Sequence, residues 1–186
     1  MQQEIALIVG VGGGLSASLA HLFAREGMAV ALAARTPEKV AALTQVIAGA
    51  RGYACDASEV AQVANVFEQV EKDLGVPDVV IFNAGMRGRG PIAELDPEVV
   101  KRAWLSGAFG GFLVGQQAAR RMLRRGSGTI ILTGATASVK GFAQSGPFAM
   151  AKFSLRGLAQ SMARDLAPKG IHVAHVVIDG GIASLA

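Results

Sequence analysis

Hydrophobic positions along the chain form six short, nearly continuous apolar runs, separated by longer stretches with helical spacing. The runs are EIALIV (4–9), MAVALAA (28–34), GYAC (52–55), DVVIFN (78–83), GTIILT (128–133) and IHVAHVVI (171–178). Runs without polar alternation are typical of strands that are buried on both faces, as in a parallel sheet. The pattern therefore predicts six parallel strands.

The intervening stretches predict helices at 14–26, 37–49, 58–74, 97–125 and 145–167. Two of them begin with a proline, Pro37 and Pro97, and glycines lie just past several of the ends. Helices between parallel strands form right-handed crossovers. We therefore predict a single domain over residues 1–186, a three-layer α/β/α Rossmann-like doubly wound sheet with strand order 3-2-1-4-5-6.

Composition narrows the class of protein. Hydrophobic residues make up 51% of the chain and charged residues 17%, which excludes a disordered protein. The single cysteine, Cys55, excludes an internal disulfide framework, and neither a signal peptide nor a membrane-length apolar segment is recognisable, so we expect a cytoplasmic protein without membrane partners. His172 and His175 stand at odd spacing on one predicted strand and face opposite sides, so we expect no metal site.

The net charge of +4 raises the question of nucleic acid. The densest basic cluster is Arg120, Arg121, Arg124 and Arg125, at the end of a predicted helix. Cations in a last helical turn complement the helix dipole, and aromatic side chains that could stack on bases are absent nearby. We therefore expect no nucleic-acid partner.

A glycine-rich loop, GVGGGLSASLAHLFAREG at 10–27, follows the first strand and opens the first helix. Glycines let the backbone approach a pyrophosphate, whose charge then faces the N–H groups of a helix N-terminus. Leu15 breaks the strict G-x-G-x-x-G spacing, but Gly10 and Gly14 fit G-x-x-x-G-x-G with Ser16 in the last place. The loop indicates a dinucleotide site, with a ligand-free tight turn as the alternative.

The end of the second predicted strand bears on the choice of dinucleotide. It reads Ala33-Ala34-Arg35-Thr36 and contains no acid. A carboxylate there would bind the ribose hydroxyls of NAD and repel the phosphate of NADP, whereas Arg35 could pair with a 2′-phosphate. The pattern favours NADP, with NAD possible and with an ordinary surface arginine as the alternative reading.

The order of motifs resembles the short-chain dehydrogenase/reductase family over essentially all 186 residues. The glycine loop is similar to the family's cofactor loop, FNAG at 82–85 to its N-N-A-G motif, and FAMAK at 148–152 to its Y-x-x-x-K motif. The turn DGGIAS at 179–184 resembles the one that contacts the nicotinamide amide. The resemblance implies cofactor-binding roles for Gly10, Gly14, Leu15, Arg35, Asp56, Asn83, Ala84, Gly85, Lys152, Ile182 and Ser184.

The catalytic positions depart from the family. There a tyrosine transfers the proton, a lysine holds the nicotinamide ribose, a serine positions the carbonyl and an asparagine supports a proton relay. Only the lysine is kept, as Lys152. Phe148 takes the tyrosine position and Ala135 the serine position, and Gly107, or Ser106 in a shifted register, takes the asparagine position.

Phenylalanine cannot titrate, so a proton for the substrate must come from elsewhere. Thr136 is the nearest hydroxyl that could replace the serine, and a water relayed past Lys152 would be required. The resemblance thus implies an oxidoreductase with atypical proton transfer that acts on an unknown small-molecule carbonyl or alcohol. The alternative is an NADP(H)-binding module without dehydrogenase activity, working as a sensor or partner subunit.

Two further expectations concern the rest of the chain. The helices at 97–125 and 145–167 should pair with their copies in a homodimer or homotetramer. The family continues beyond the equivalent of Ala186 with a helical substrate lobe, so we expect that lobe to be absent or truncated here. Arg87 and Arg89, in the loop after Asn83, are interpreted as solvated arginines, with contact to an acidic substrate as the alternative.

Overall fold

The computed structural model describes residues 3–182, which contain one sheet of six parallel strands in the order β3-β2-β1-β4-β5-β6. The strands are β1 Ile5–Val9, β2 Ala29–Ala34, β3 Arg51–Ala54, β4 Val79–Phe82, β5 Gly128–Ala135 and β6 Ile171–Ile178. The helices are α1 Leu15–Arg25, α2 Pro37–Val46, α3 Val60–Asp73, α4 Pro97–Trp104, α5 Gly110–Arg125 and α6 Gly146–Leu166. The predicted fold class and strand order are confirmed.

The two faces of the sheet carry separate hydrophobic clusters. Leu7 and Val9 of β1 pack on one face with Phe67 of α3 and Leu155 of α6. Ile8, between them in sequence, packs on the opposite face against the α1 and α2 side. Because successive side chains of a strand point to opposite faces, a strand covered on both sides must be apolar at every position. This arrangement explains the continuous apolar runs of the inner strands β1, β2 and β4.

The predicted helix over 97–125 is wrong in one detail, because a π-helical turn at Leu105–Phe109 separates α4 from α5. Glycines here allow close packing: a Cβ on Gly110 would lie 2.8 Å from the carbonyl oxygen of Ala57, and one on Gly107 would lie 2.9 Å from the Cβ of Ala151. The backbone thus approaches its neighbours more closely than side chains would permit, and the wider turn occurs at this contact.

The carboxyl ends of the strands meet at one edge of the sheet, where the loops are tied to neighbouring strands. The N–H of Gly10 donates to the carbonyl of Ala33 at 2.9 Å, and that of Asn83 donates to Val9 at 2.8 Å. β5 extends two residues beyond its predicted end, because Gly134 and Ala135 continue the pairing with β6. Among residues 3–182, no helix has the length and apolar character needed to cross a membrane.

Candidate functional site

A cleft follows the carboxyl ends of β1 to β4. Its lining residues are Gly10, Val11, Ala34, Arg35, Thr36, Lys39, Cys55, Asp56, Ala57, Asn83, Ala84, Gly85 and Ser106. Six of the eleven residues expected to bind a cofactor are among them. The glycine loop therefore converges with the ends of β2, β3 and β4 in one cleft.

The glycine loop is held in place by a short hydrogen-bond chain. Gly10 has φ +94°, and a Cβ at this position would overlap the backbone nitrogen of Ala84, so only glycine fits. The hydroxyl of the buried Ser16 donates to the carbonyl of Gly10 at 3.0 Å and accepts from the Asn83 side-chain amide at 2.7 Å. Ser16, which stands where the family pattern has a glycine, thus links β1, α1 and β4.

Gly14 and Leu15 occupy different parts of this loop. Gly14 is the N-cap of α1, with φ −96° and ψ −120°. It does not line the cleft itself, whereas Leu15 lies further along, at the part of the cleft that reaches β5.

The end of β2 presents positive charge and no acid. Arg35 is exposed and lines the cleft, and within residues 3–182 its guanidinium makes no ion pair or hydrogen bond with the protein. Lys39, in the first turn of α2, lines the same part of the cleft. The sequence analysis did not identify Lys39. It could have been found from its position four residues after Arg35, because the start of a helix between them brings both side chains to the same part of the cleft.

Asp56 follows β3 and is fixed by its own loop. One carboxylate oxygen accepts from the Ser58 hydroxyl at 2.7 Å and from the Ser58 N–H at 2.9 Å. The Asp56 N–H donates to the side chain of Gln62 at 2.8 Å. The second carboxylate oxygen makes no hydrogen bond within the described part of the chain, so it can accept one from a bound molecule.

The cleft continues toward β5 and β6. Its lining residues there are Leu15, Asn83, Ala84, Gly85, Arg87, Thr133, Gly134, Ala135, Phe148, Lys152, Ile178, Gly180, Gly181 and Ile182. This part brings Phe148, Ala135 and Lys152 together, as the motif order predicts. Ser184, also expected to bind the cofactor, lies outside the described residues.

Lys152 is buried at the base of the cleft. Its Nζ donates to the carbonyl oxygen of Thr133 at 2.7 Å and lies 5.7 Å from the centroid of the Phe148 ring. Burial and, to a smaller extent, the charge of Arg87 together lower the pKa of Lys152 to about 8. An ammonium has three donors, so those not used by Thr133 remain for a ligand.

Neither Phe148 nor Ala135, the residues assigned to the tyrosine and serine positions, carries a group that can donate a proton. Phe148 is half-buried, and the guanidinium carbon of Arg87 lies 5.2 Å from its ring centroid. The hydroxyl of Thr136 donates to Asp179 at 2.5 Å in an adjoining depression, and Thr136 does not line the Lys152 part of the cleft. The structure thus does not bring Thr136 together with Lys152.

Ser138 and His175, to which the sequence assigned no role in the site, support the end of β5. The hydroxyl of Ser138, which is fully buried, accepts from the N–H of Ala135 at 3.1 Å and lies 3.3 Å from Nε2 of His175. Burial lowers the pKa of His175, and the nearby charges of Lys152 and Arg156 act in the same direction. A Cβ on Gly134 would overlap the His175 ring, so this glycine makes room for it.

The family's asparagine position lies in the π-helical turn. Gly107 is buried there and has no space for a side chain, because of the contact with Ala151 described above. Ser106 lines the cleft, and its hydroxyl donates to the carbonyl of Ala103 at 3.3 Å.

Comparison with known proteins identifies what the chain is similar to. The model of the family described as short chain dehydrogenase matches residues 4–184. The chain is 26% identical over 174 residues to D-threitol dehydrogenase of Mycolicibacterium smegmatis, covering 91% of this chain and 67% of that protein.

Two solved structures resemble the chain in both fold and sequence. A short-chain dehydrogenase from Rhodopseudomonas palustris superimposes with a TM-score of 0.89 at 38% identity, covering 95% of this chain and 85% of the other. A gluconate 5-dehydrogenase from Burkholderia cenocepacia, solved with NADP and tartrate, gives a TM-score of 0.89 at 30% identity, covering 96% and 72%.

Proposed function

The chain belongs to the short-chain dehydrogenase family, and on that basis we propose that it is an NADP(H)-dependent oxidoreductase that interconverts a carbonyl compound and an alcohol. The observation that carries the proposal is the continuity of the cleft, which runs from the acid-free end of β2 past the glycine loop to the buried ammonium of Lys152. A relative of this fold is solved with NADP bound, which supports the choice of cofactor.

The residues present fit a dinucleotide. A Cβ on Gly12 would contact nothing within 4 Å, so the loop leaves open space in front of the first turn of α1, whose N–H groups favour a phosphate. Arg35 and Lys39 supply charge for a 2′-phosphate, and the free oxygen of Asp56 can accept from an adenine amino group. In this proposal the remaining walls are formed by Leu15, Asn83–Gly85 and Ile182, and Gly14 begins the helix that faces the phosphates. Ser184 keeps the cofactor-binding role that the family resemblance implies.

Bound NADPH would supply a hydride to a carbonyl carbon, and the carbonyl oxygen would then require a proton. Lys152 is placed to bind ribose hydroxyls with the donors that Thr133 leaves free. Phe148 has no proton to give, so the proton path uses a water beside the Lys152 ammonium, whose pKa of about 8 suits exchange near neutral pH. Ala135 contributes no hydroxyl, and Thr136 would have to leave Asp179 in order to replace one.

A second function, an NADP(H)-binding module without turnover, is favoured by one specific observation. The ring of Phe148 lies beside two cations, Arg87 and Lys152, and in this proposal it takes the place of the proton donor, while Ala135 takes that of the serine. Such a site could bind the cofactor and report its redox state without consuming it.

Assembly and location complete the proposal. Large apolar side chains are exposed on three helices, Trp104 on α4, Phe112 on α5 and Phe153 on α6. Such exposure on neighbouring helices supports a homodimer or homotetramer that covers them. The free and buried Cys55 suits the reducing cytoplasm.

The test is to titrate the purified protein with NADPH and NADH by calorimetry, and then to follow loss of reduced nicotinamide with a panel of aldehydes and ketones. We expect NADPH to bind more tightly and to be consumed. Binding without consumption across the panel would favour the module, and absence of binding would contradict both functions.

A further inference from the structure

A second depression adjoins the Lys152 part of the cleft and belongs to neither the glycine loop nor the end of β2. The residues that matter in it are Arg87, Arg89, Thr136, Phe142, Phe148 and Asp179. Arg87 and Phe148 line both this depression and the Lys152 part of the cleft. A molecule bound here would therefore lie next to the proposed reacting centre.

The loop after β4 directs two arginines into this depression. Gly88, between them, is buried, and a Cβ there would lie 3.0 Å from Val99 and 3.1 Å from Pro147. The loop is also tied down by the N–H of Gly90, which donates to the carbonyl of Gln144 at 3.2 Å. Since Gly88 faces the packed side, Arg87 and Arg89 on either side of it face the depression.

These arginines have no counter-ion within residues 3–182. Neither makes an ion pair or a hydrogen bond with the protein there, and Arg87 instead rests on the Phe148 ring. Asp179, the acid that lines the depression, accepts a hydrogen bond from Thr136. Arg87 and Lys152 also interact electrostatically. Burial is the main cause of the lowered pKa of Lys152, and the positive charge of Arg87 is the second cause.

We propose that the substrate of this site is a small carboxylic acid, an oxo acid in the reductive direction and a hydroxy acid in the oxidative one, whose carboxylate binds Arg87. The proposal rests on the proposed function. Arg87 and Lys152 lie 5.2 and 5.7 Å from the centroid of one ring. A carboxylate at Arg87 and a carbonyl beside Lys152 would therefore flank the same ring, and a 2-oxo acid is the smallest substrate that carries both groups.

The chemistry balances without a further reagent. An oxo acid, NADPH and one proton give the hydroxy acid and NADP⁺: the hydride goes to the carbonyl carbon, the proton goes to its oxygen, and the carboxylate is unchanged. A planar guanidinium can form two parallel bonds to that carboxylate. Phe148 acquires a role here, because its face supports the Arg87 guanidinium in the orientation that presents those donors.

The first experiment compares 2-oxobutanoate with its methyl ester as substrates in the presence of NADPH. We expect the wild type to prefer the acid in kcat/KM, and Arg87→Gln to lower kcat/KM for the acid by about 10–100-fold, so that the preference disappears. Arg120→Gln, which removes the same charge from the exposed surface of α5, should keep the preference. Reduction of acid and ester with equal kcat/KM by the wild type would overturn the inference while leaving the proposed function intact.

The second experiment needs no turnover. Oxamate, an unreactive 2-oxo acid mimic, and its uncharged counterpart oxamide are titrated by calorimetry into the protein with and without NADP. We expect oxamate alone to bind, and Arg87→Gln to weaken it where Arg120→Gln does not. Binding of oxamate through Arg87 in a protein that never binds NADPH would support the carboxylate site and contradict the proposed function. Equal binding of both probes, or no binding of oxamate, would overturn the inference.

Discussion

The ammonium of Lys152 lies 5.7 Å from the centroid of the Phe148 ring, four residues earlier on α6. Residues at this spacing share one face of a helix. A phenol in place of the ring would therefore stand beside the ammonium, which would stabilise its phenolate form and lower its pKa.

Phe148→Tyr should accordingly raise NADPH consumption with reactive carbonyls. General acid–base help is worth about 10²–10⁴-fold, and adding Ala135→Ser should raise the rate further by supplying the missing hydroxyl. Phe112→Tyr, which adds a phenol to an exposed ring of α5 away from the cleft, is the matched control and should have little effect. If the wild type already consumes NADPH rapidly and Phe148→Tyr consumes it more slowly, the proton takes another path.

Lys152→Met should weaken NADPH binding, because the ammonium is placed to hold the ribose. The expected loss is roughly 1.5–3 kcal/mol for each charge-assisted bond. Calorimetry gives the affinity directly, and Lys140→Met, which removes an exposed lysine, should leave it unchanged. Equal affinities of the wild type and Lys152→Met would mean that the ammonium does not contact the cofactor.

The same variant should change how stability depends on pH. The pKa of Lys152 is about 8 in the folded protein and 10.5 ordinarily, so the unfolded chain binds more protons between these values. Wild-type stability therefore gains a contribution as pH rises from 8 to 10.5, and Lys152→Met lacks it. Below pH 8 the free energy of unfolding of Lys152→Met should exceed that of the wild type by at most about 3 kcal/mol. This difference should shrink as the pH rises from 8 to 10.5.

Denaturant unfolding of both proteins at several pH values measures this difference. Cys55 and Tyr53 have pKa values raised by burial, to about 11 and about 12, and they lower stability at alkaline pH. Their effect is common to both proteins and cancels in the comparison. Parallel pH curves for the two proteins would contradict the prediction.

Arg35→Asp should reverse the cofactor preference from NADPH to NADH. The change removes a cation from the end of β2 and adds the carboxylate that would bind ribose hydroxyls and repel the 2′-phosphate. Titration with both cofactors checks the order, and Arg120→Asp controls for the change in net charge. The assignment fails if NADPH and NADH bind equally before and after the substitution.

Self-association should depend on the aromatic side chains of α4 to α6. Phe153 is 45% exposed and Phe112 is 41% exposed, and the Phe112 ring stacks on Phe109 at a centroid distance of 6.1 Å. We expect a dimer or tetramer in sedimentation at micromolar concentration, and dissociation on Phe153→Glu. Leu22→Glu, at an exposed leucine of α1, should not dissociate it. A wild type that sediments as a monomer would contradict the prediction.

Secondary structure was predictable where burial alone decides it. The inner strands β1, β2 and β4 were recognised because both faces of the sheet are covered there, which leaves an unbroken apolar run. The edge strands β3 and β6 are partly exposed and were recognised from their composition and place between helices. Helix ends were less accurate: α2 ends at Val46 and not at 49, because Ile47 adopts an extended conformation and is buried in the core. The π-helical turn was invisible, since it results from contacts with Ala57 and Ala151, which are distant in sequence.

The site was predictable to the extent that strand ends converge in a doubly wound sheet. Lys152, Arg35 and Asp56 each follow or face such an end. The pairing of Thr136 with Asp179 and of Ser138 with His175 was not predictable, because each bond joins segments about forty residues apart. Interpreting Arg87 required the position of the Phe148 ring, which only the folded chain supplies.

The contact between Gly107 and Ala151 bears on how this protein could change over evolutionary time. Position 148 can acquire a phenol by one substitution, because tyrosine keeps the ring. Position 107 cannot acquire an asparagine so simply, since its Cβ would lie 2.9 Å from a methyl group fixed to the backbone of α6. The methyl group must be lost first, by Ala151→Gly, at a cost to a long helix. Packing between two small residues thus constrains the two positions differently, since one accepts a phenol by a single substitution and the other accepts an asparagine only after a second one.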